Sequence, residues 1–306
     1  MDLKQLEALV AIDEHGSFSA AAGALGTVQS NVSGRIARLE AELDTVLIDR
    51  ASGKLTDDGT TVVARARRVL AELGSLVDDV LSANSEVAGT VRVGMIGTTG
   101  RWLIPQVFAE LRRRHPRIVL RVTEGTTTTL EPQLLLGQLD LAVLTLPVQA
   151  SELAVAPLFD EDLVLVGPND HPLAQADEAM PGDLSVLNGL DMLLPLPGTA
   201  LRDELDEVLL PLGIEPSSSI EVDGLRTLAS LVFDGYGPGI LPATAVPAHL
   251  RDRFSLLPLD GLPRRRVGIV SRRHGLPSAP SKAVRELLVE AAQPGAALPE
   301  GIASAR

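Results

Sequence analysis

Residues 18–40 read FSAAAGALGTVQSNVSGRIARLE and divide at one residue, Gly26. The alanine-rich half before Gly26 has the composition of a short helix, which either Ser17 or Ser19 could cap. In the half after it, Thr27 suits the N-cap of a second helix that would end near Leu43. The apolar residues of that second helix recur at helical spacing: Val32, Ile36 and Leu39. Two short helices joined by a tight glycine turn have the proportions of a helix-turn-helix.

The flanking segments extend this unit. An amphipathic helix precedes it and ends near Gly16. Behind it, two short β-forming runs at 47–50 and 54–56 predict a small β-wing. Thr56 then suits the N-cap of a long helix over 57–83.

The long helix carries an apolar stripe whose members are three and four residues apart, the a/d spacing of paired helices. Its residues are Val63, Ala66, Leu70, Leu73, Val77 and Val80. A solitary helix cannot bury such a stripe, so we predict that it pairs with a partner helix. The alternative is that the stripe packs on its own domain. Residues 88–90 then read as a linker.

From Thr90 onward, short apolar runs alternate with helical segments. The first predicted strands are 91–96, 118–123, 139–144 and 163–166, and the first helices are 103–114 and 130–136. This alternation predicts a mostly parallel, doubly wound sheet. The length suits two small lobes, with ligands expected at the carboxyl ends of strands.

Composition excludes several functions. The 306 residues include no cysteine, which rules out a disulfide framework, a thiolate metal site and a cysteine nucleophile. The five histidines lack metal-ligand spacing, and no nucleophile elbow or phosphate-binding glycine motif occurs, so we expect no enzyme, metal or cofactor. The sequence contains no apolar run that could span a bilayer and no secretory signal, so we predict a cytoplasmic protein without a membrane partner.

The net charge of −13 argues against nucleic acid as a partner. Charges nearly balance between Gln29 and Arg68, however, so the negative excess lies elsewhere. The basic residues of this region are Arg35, Arg38, Arg50, Lys54, Arg65, Arg67 and Arg68. If they cluster on one face, they can contact phosphates, with an oligomer needed for affinity.

The whole chain resembles the LysR-type transcriptional regulators. The resemblance is carried, at the family's spacing, by Gly16-Ser17-Phe18, Gln29-Ser30, Ser33, Ile36, Leu39-Glu40, Leu47-Ile48-Asp49-Arg50 and Leu55-Thr56-Asp57-Asp58-Gly59. It implies an α/β protein with an N-terminal winged helix-turn-helix, a long dimerisation helix and a two-lobed, periplasmic-binding-protein-like effector domain. The corresponding bounds are 1–58, 57–88 and 89–306, with lobe I at about 90–164 and 269–292 and lobe II at about 165–268.

The resemblance also implies the partners. We expect a dimer or homotetramer that binds double-stranded DNA at an interrupted palindrome with a T…A core. A small effector, which the hydroxyl-rich loops suggest is an anion, would modulate binding. RNA polymerase is a further candidate partner.

The polar side of the predicted recognition helix carries short polar and Gln or Arg groups that reach base edges in a major groove. The DNA-binding residues that we predict are Thr27, Gln29, Ser30, Asn31, Ser33, Arg35, Arg38, Arg50 and Lys54. Ordinary surface polarity is the alternative for each. The sequence departs from the family at Val28, Ser30 and Gly34, where Ser or Thr, Pro and often Arg are usual, so base contacts are less secure than phosphate contacts.

Three strand-to-helix junctions, at 96–100, 125–127 and 197–199, offer hydroxyls and free backbone N–H groups, which together can bind an anion. They resemble the family's effector contacts. The predicted residues are Thr98, Thr99, Thr126, Thr127, Thr199 and Arg202. The alternative is that these residues only cap helices. The acidic run Asp160-Glu161-Asp162 reads as a turn.

Two other functions stay open. A solute-binding protein would share the two-lobed α/β portion, but the missing secretory signal and the helix-turn-helix oppose it. A small-molecule enzyme could use a doubly wound fold, but no paired catalytic groups are visible, and fold alone does not decide function.

Overall fold

The computed structural model describes residues 1–84, 87–169, 182–293 and 298–305. The N-terminal part is helical. Its elements are α1 (Leu3–His15), α2 (Phe18–Ala24), α3 (Gln29–Leu43) and the long α4 (Asp57–Asn84). A buried aliphatic core joins α1, α2, α3 and the start of α4, and this core is separate from those of the C-terminal domain.

Local signals set most of these helix ends. Gly16 ends α1 in the left-handed conformation at φ 73°, as predicted. Ser17, one of two candidate serines, caps α2 by accepting from the backbone N–H of Ala20 at 3.2 Å. The prediction of Thr27 as the cap of α3 is wrong. The turn runs one residue further, with the Thr27 N–H bonded to the Ala22 carbonyl, so Val28 takes the N-cap position without a side-chain cap.

The wing is short. Ile48 and Leu55 form one antiparallel bridge. Thr56 caps α4 as predicted, because its Oγ1 accepts from the N–H of Gly59 at 3.0 Å. Gly59 lies so close to Leu47 that a Cβ there would overlap the Leu47 carbonyl oxygen. A glycine at this position therefore lets the wing pack directly on α4.

The C-terminal domain alternates strands and helices. Its helices are α5 (Gly97–Arg114), α6 (Thr127–Leu135), α7 (Ala200–Leu209), α8 (Leu225–Phe233) and α9 (Ala279–Ala291). Its strands are β1 (Ala88–Ile96), β2 (Arg117–Gly125), β3 (Leu141–Thr145), β4 (Leu153–Pro168), β5 (Gly182–Asp183), β6 (Leu194–Pro195), β7 (Glu221–Val222), β8 (Gly239–Pro242), β9 (Phe254–Asp260), β10 (Arg264–Arg272) and β11 (Ile302–Ser304).

The main sheet has the order β2-β1-β3-β10-β4-β9-β5, and β8 and β11 also pair with β4. Only its β2-β1-β3 part and the short β5–β9 contact are parallel. The long strands β4 and β10 run antiparallel to each other and carry the chain between two lobes. The mostly parallel sheet that we predicted is therefore a mixed one. One aliphatic core fills the lobe around β1, and two more fill the lobe around β8 and β9.

Three local predictions are corrected. Residues 88–90 are no linker, since β1 begins at Ala88 and pairs from there with β2. The helix predicted from residue 103 begins at Gly97, directly after β1. Asp160-Glu161-Asp162 is no turn, because the run lies inside β4 opposite three arginines of β10. The predicted domain bounds stay predictions.

Candidate functional site

Helix α3 has a buried apolar side and a largely exposed polar side. Val32, Ile36 and Leu39 are fully buried against the N-terminal core. On the other side most of the predicted DNA-binding residues are exposed, and Thr27, Ser33 and Arg35 are half-buried. The exposed ones are Gln29, Ser30, Asn31 and Arg38. The helix therefore presents a polar surface held by a rigid apolar base, which is what recognition of a DNA groove requires.

Two side chains on this surface bond within their own helix region. Asn31 Nδ2 donates to Thr27 Oγ1 at 3.0 Å, and Arg38 Nε donates to the Gly34 carbonyl at 3.2 Å. A Cβ at Gly34 would meet nothing within 4 Å, so the helix surface is open at this position. Arg38 is thus oriented along the helix, beside a gap that a longer side chain could fill.

The wing is anchored by a residue to which the sequence interpretation assigned no role. Glu40 accepts from the N–H groups of Leu47 and Ile48 at 2.9 and 3.2 Å, and from Arg50 Nη2 at 2.9 Å. Arg50 also stacks over the Phe18 ring at 5.5 Å. Arg50 is therefore oriented by two neighbours while half of its side chain stays exposed. Lys54, at the other side of the wing, is exposed.

The predicted dimerisation stripe divides in two. Val63 and Ala66 are only 2% exposed and belong to the core of their own domain, so assigning them to a partner-facing surface is wrong. The helix packs against α1 at this level, which buries one side of its first turns. Further along, Leu73, Val77 and Val80 are 39%, 53% and 57% exposed. The exposed set also includes two residues that lie off the predicted spacing, Val69 and Leu76.

The first two effector junctions lie side by side, because Ile96 pairs with Gly125 in the parallel β1–β2 register. Thr98 and Thr99 are in the first turn of α5 and are buried. Among the described residues, none bonds the Thr99 Oγ1. A buried hydroxyl without a partner is costly, which marks this turn as a place where a polar atom is expected.

The second junction fits the capping alternative at one residue and not at the other. Thr126 caps α6 in a reciprocal arrangement with Thr129. Thr127 Oγ1 instead donates to the Thr145 carbonyl at the end of β3, at 3.2 Å. Thr145 Oγ1 in turn accepts from Arg265 Nη2 at 2.6 Å. This chain of contacts links the junction to strand β10.

At the third junction, the polar side chains Thr199 and Arg202 already have partners within the protein. Thr199 Oγ1 donates to the Leu196 carbonyl at 2.7 Å. Arg202 Nε bonds Asp206 at 3.0 Å, and its Nη1 bonds Glu221 at 2.9 Å and the Pro195 carbonyl at 3.0 Å. The Arg202 guanidinium, which carries the formal charge among the predicted effector contacts, is already neutralised within its own lobe.

The sequence interpretation missed a charged cluster between the lobes. In the β4–β10 register, Arg264, Arg265 and Arg266 lie opposite Asp162, Glu161 and Asp160 respectively. The outer two pairs are ion pairs on the surface. The central pair points inward, where Arg265 Nη1 lies 3.6 Å from Glu161 Oε1, and Arg265 Nε lies 3.7 Å from Glu204 Oε2 on α7. The sequence does contain a signal for this cluster, namely an acidic triplet at 160–162 and a basic triplet at 264–266.

Burial sets the electrostatics of this interlobe cluster, which we define as Glu161, Glu204, Arg265 and Thr244. Burial raises the pKa of Glu161, against the lowering effect of Arg265 and of a 2.8 Å hydrogen bond from Thr244. Burial likewise raises the pKa of Glu204, against Arg265. Both carboxyls therefore hold a proton more readily than exposed ones.

The lobes also meet at the edge of the first two junctions. Arg226, at the start of α8, lies 2.9 Å from Glu124 at the end of β2. Among the described residues, none of the acidic and histidine groups forms a cluster suited to a metal ion, and none of the described helices is long and apolar enough to cross a membrane.

Comparison with known proteins agrees with this architecture. Residues 3–60 match the bacterial regulatory helix-turn-helix protein family named after lysR, and residues 84–293 match the LysR substrate binding domain. A probable hydrogen peroxide-inducible genes activator of Streptomyces viridosporus is 36% identical over 276 residues, which cover 88% of each chain.

Two further similarities span nearly the whole length. The DNA-binding transcriptional dual regulator OxyR of Escherichia coli K12 is 33% identical over 295 residues, 95% of this chain and 94% of that protein. The structure of a full-length OxyR from Pseudomonas aeruginosa, with one cysteine changed to aspartate, is similar with a TM-score of 0.77 at 26% identity, and the match covers 100% of this chain and 99% of that one. This chain belongs to the LysR family of bacterial transcriptional regulators.

Proposed function

We propose that this protein regulates transcription by binding an interrupted inverted repeat in DNA as an oligomer. In this proposal, a small molecule bound reversibly between the two lobes of its C-terminal domain changes that binding. The observation that carries the proposal is α3, whose apolar side is fully buried and whose N-terminal polar side is open to solvent. Such a helix can enter a major groove without disturbing its own domain.

The proposed DNA surface joins α3 to the wing. Gln29, Ser30 and Ser33 would read base edges, since short polar and amide side chains bond bases in the major groove. Among the described residues, no side chain caps the N-terminus of α3, so its backbone N–H groups favour a phosphate. Arg50, oriented by Glu40, and Lys54 would contact the backbone at the flank.

The proposed oligomer forms through the exposed half of the α4 stripe. Leu73, Val77 and Val80 leave an exposed apolar surface on the second half of the helix. Pairing two such helices about a two-fold axis brings two recognition helices onto one DNA, which predicts an inverted repeat. A tetramer of two such dimers and contact with RNA polymerase remain predictions.

The proposed sensing chemistry is non-covalent. Two relatives are named for hydrogen peroxide or as OxyR, and the Pseudomonas aeruginosa protein had a cysteine changed to aspartate. This chain has no cysteine, so thiol oxidation is not available to it. A reversible ligand acts instead by binding one arrangement of the oligomer better than another, which is the only way it can shift the equilibrium.

The test is an electrophoretic mobility titration of the full-length protein on DNA from upstream of its own gene. Parallel titrations would contain hydrogen peroxide. We expect specific binding that Gln29→Ala weakens and that peroxide leaves unchanged. Specific binding that appears or disappears with peroxide would contradict the sensing part of the proposal. Absence of specific binding to this and to genome-selected DNA fragments would contradict the regulatory part.

A further inference from the structure

The interlobe cluster contains buried polar atoms whose hydrogen-bonding capacity is unused. Among the described residues, none bonds Glu161 Oε1, Glu204 Oε2, or Arg265 Nε and Nη1. The charged atoms are 3.6 and 3.7 Å apart, close enough for attraction and too far for good hydrogen bonds. The Glu161 side chain is fully buried, so its open oxygen is shielded from bulk solvent.

The cluster also has an excess of acid. One guanidinium, Arg265, faces the two carboxylates, and Glu207 of α7 adds a further negative potential at Glu204. The neighbouring arginines of β10 are paired with aspartates on the outer surface. A buried carboxylate without a full counter-charge is unstable and takes up either a proton or a cation.

Resting on the function proposed above, we propose that the effector is a small monocation with N–H donors, of the amidinium or alkylammonium class. Its N–H groups donate to Glu161 Oε1 and Glu204 Oε2. A hydroxyl or carbonyl oxygen beside the cationic group accepts from Arg265 Nε or Nη1. Access is from the side of Glu204, the most exposed of these three side chains at 28%. This proposal departs from the expectation of an anion; at the third junction, Arg202 is already neutralised by Asp206 and Glu221.

The ligand competes with protons for the same oxygens. Burial raises the pKa of Glu161 and of Glu204, so both carboxyls hold a proton to higher pH than exposed ones do. Arg265 of β10 lowers the pKa of both carboxyls, Glu204 raises that of Glu161, and Glu207 of α7 raises that of Glu204. The segment Ala243–Ala245 contributes only the neutral Thr244. A cation therefore displaces a proton, and its affinity rises with pH, whereas an anion held by Arg265 would bind more weakly as pH rises.

Three isosteric probes distinguish a cationic ligand from a neutral or an anionic one. Acetamidinium, acetamide and acetate have nearly the same shape and carry charges of about +1, 0 and −1 near neutral pH. Calorimetric titration of the full-length protein should give an acetamidinium dissociation constant of the order of 1 mM, a reasonable value for so few atoms. We expect affinity to increase as pH rises above the ordinary carboxyl range, with proton release visible as a dependence of the heat on the buffer. Acetamide and acetate should bind at least about tenfold more weakly.

Matched variants locate the binding. Glu204→Gln should lower acetamidinium affinity about tenfold or more, and Glu161→Gln, which keeps an acceptor for Thr244, should do the same. Glu207→Gln removes one charge from the exposed side of the same helix and should change affinity less than about threefold. Any of three results would overturn the proposal. They are preference for acetate, absence of acetamidinium binding, and an equal loss of acetamidinium affinity in Glu204→Gln and Glu207→Gln. No DNA is present in this assay, so its result is independent of operator binding.

Discussion

Arg265 and Glu161 lie opposite each other in the antiparallel β10–β4 pair and point into the protein, while the charged residues on either side of them point out. Side chains alternate along a strand, so a run of three opposed pairs places two on the surface and one inside. The outer pairs add little stability because water screens them. The inner pair lies where the two lobes meet and therefore can couple a bound ligand to their arrangement.

The first prediction concerns stability against pH. The raised pKa of Glu204 means that the folded state binds this proton more tightly than the unfolded chain. Its contribution is thus most favourable at low pH and is lost as pH rises from the ordinary carboxyl range through the raised pKa. Because glutamine does not titrate, Glu204→Gln should not lose this stability as pH rises. Its Tm should exceed that of the parent protein near pH 8 and approach it near pH 5 in scanning calorimetry. Parallel Tm curves for parent and variant would show that Glu204 titrates normally.

The second prediction concerns the open position on α3. Gly34→Arg should fit, since a Cβ there meets no described neighbour within 4 Å, and the added charge would lie on the side of α3 that we propose faces DNA. DNA affinity should increase, and the plot of log affinity against log salt should steepen by about one unit. Gly34→Ala is the control, because it should stabilise the helix by about 1 kcal/mol without changing the salt slope. An unchanged slope in Gly34→Arg would place this surface away from DNA.

The third prediction tests why Gly59 is a glycine. In Gly59→Ala the Cβ would overlap the Leu47 carbonyl, so the wing and α4 must separate. We expect a loss of about 2 kcal/mol or more in the free energy of unfolding. Gly74→Ala in the same helix has free space around the new Cβ and should be neutral or stabilising by up to about 1 kcal/mol. Urea denaturation of both variants gives the comparison, and similar stabilities would refute the packing argument.

The fourth prediction addresses the oligomer. Val77→Asp places a charge in the exposed part of the α4 stripe, where burial against a partner helix would be costly. The dissociation constant of the dimer should rise about a hundredfold or more in sedimentation equilibrium. Thr61→Asp, on an exposed position near the start of α4, should leave it unchanged. If Val77→Asp sediments as the parent does, the oligomer forms elsewhere.

The N-terminal fold could be predicted from the sequence because its signals are local. The helical spacing of Val32, Ile36 and Leu39 and the glycine stop at Gly16 each act within a few residues. The packing of the long helix was harder to predict, because only its contact with α1 shows that Val63 and Ala66 belong to the core of the same chain.

The interlobe cluster could not be found in the same way. Arg265 bonds Thr145 from 120 residues away, and its opposition to Glu161 depends on the register of two long strands. Nothing local distinguishes Glu161 from its two acidic neighbours. The hydroxyls of the effector junctions were visible in the sequence, but only packing decides their roles. Thr126 caps a helix, whereas Thr99 is buried and has no hydrogen-bond partner among the described residues.

Footprinting tests the central claim most directly. The full-length protein would be titrated over a salt series on DNA from upstream of its own gene, beside Gln29→Ala and beside Lys282→Ala, a charge removal on an exposed position of α9. We predict two protected half-sites separated by whole helical turns, lost in Gln29→Ala and kept in Lys282→Ala. Uniform protection without half-sites at every salt concentration, or protection that Gln29→Ala leaves intact, would contradict the assignment of α3 as the recognition helix.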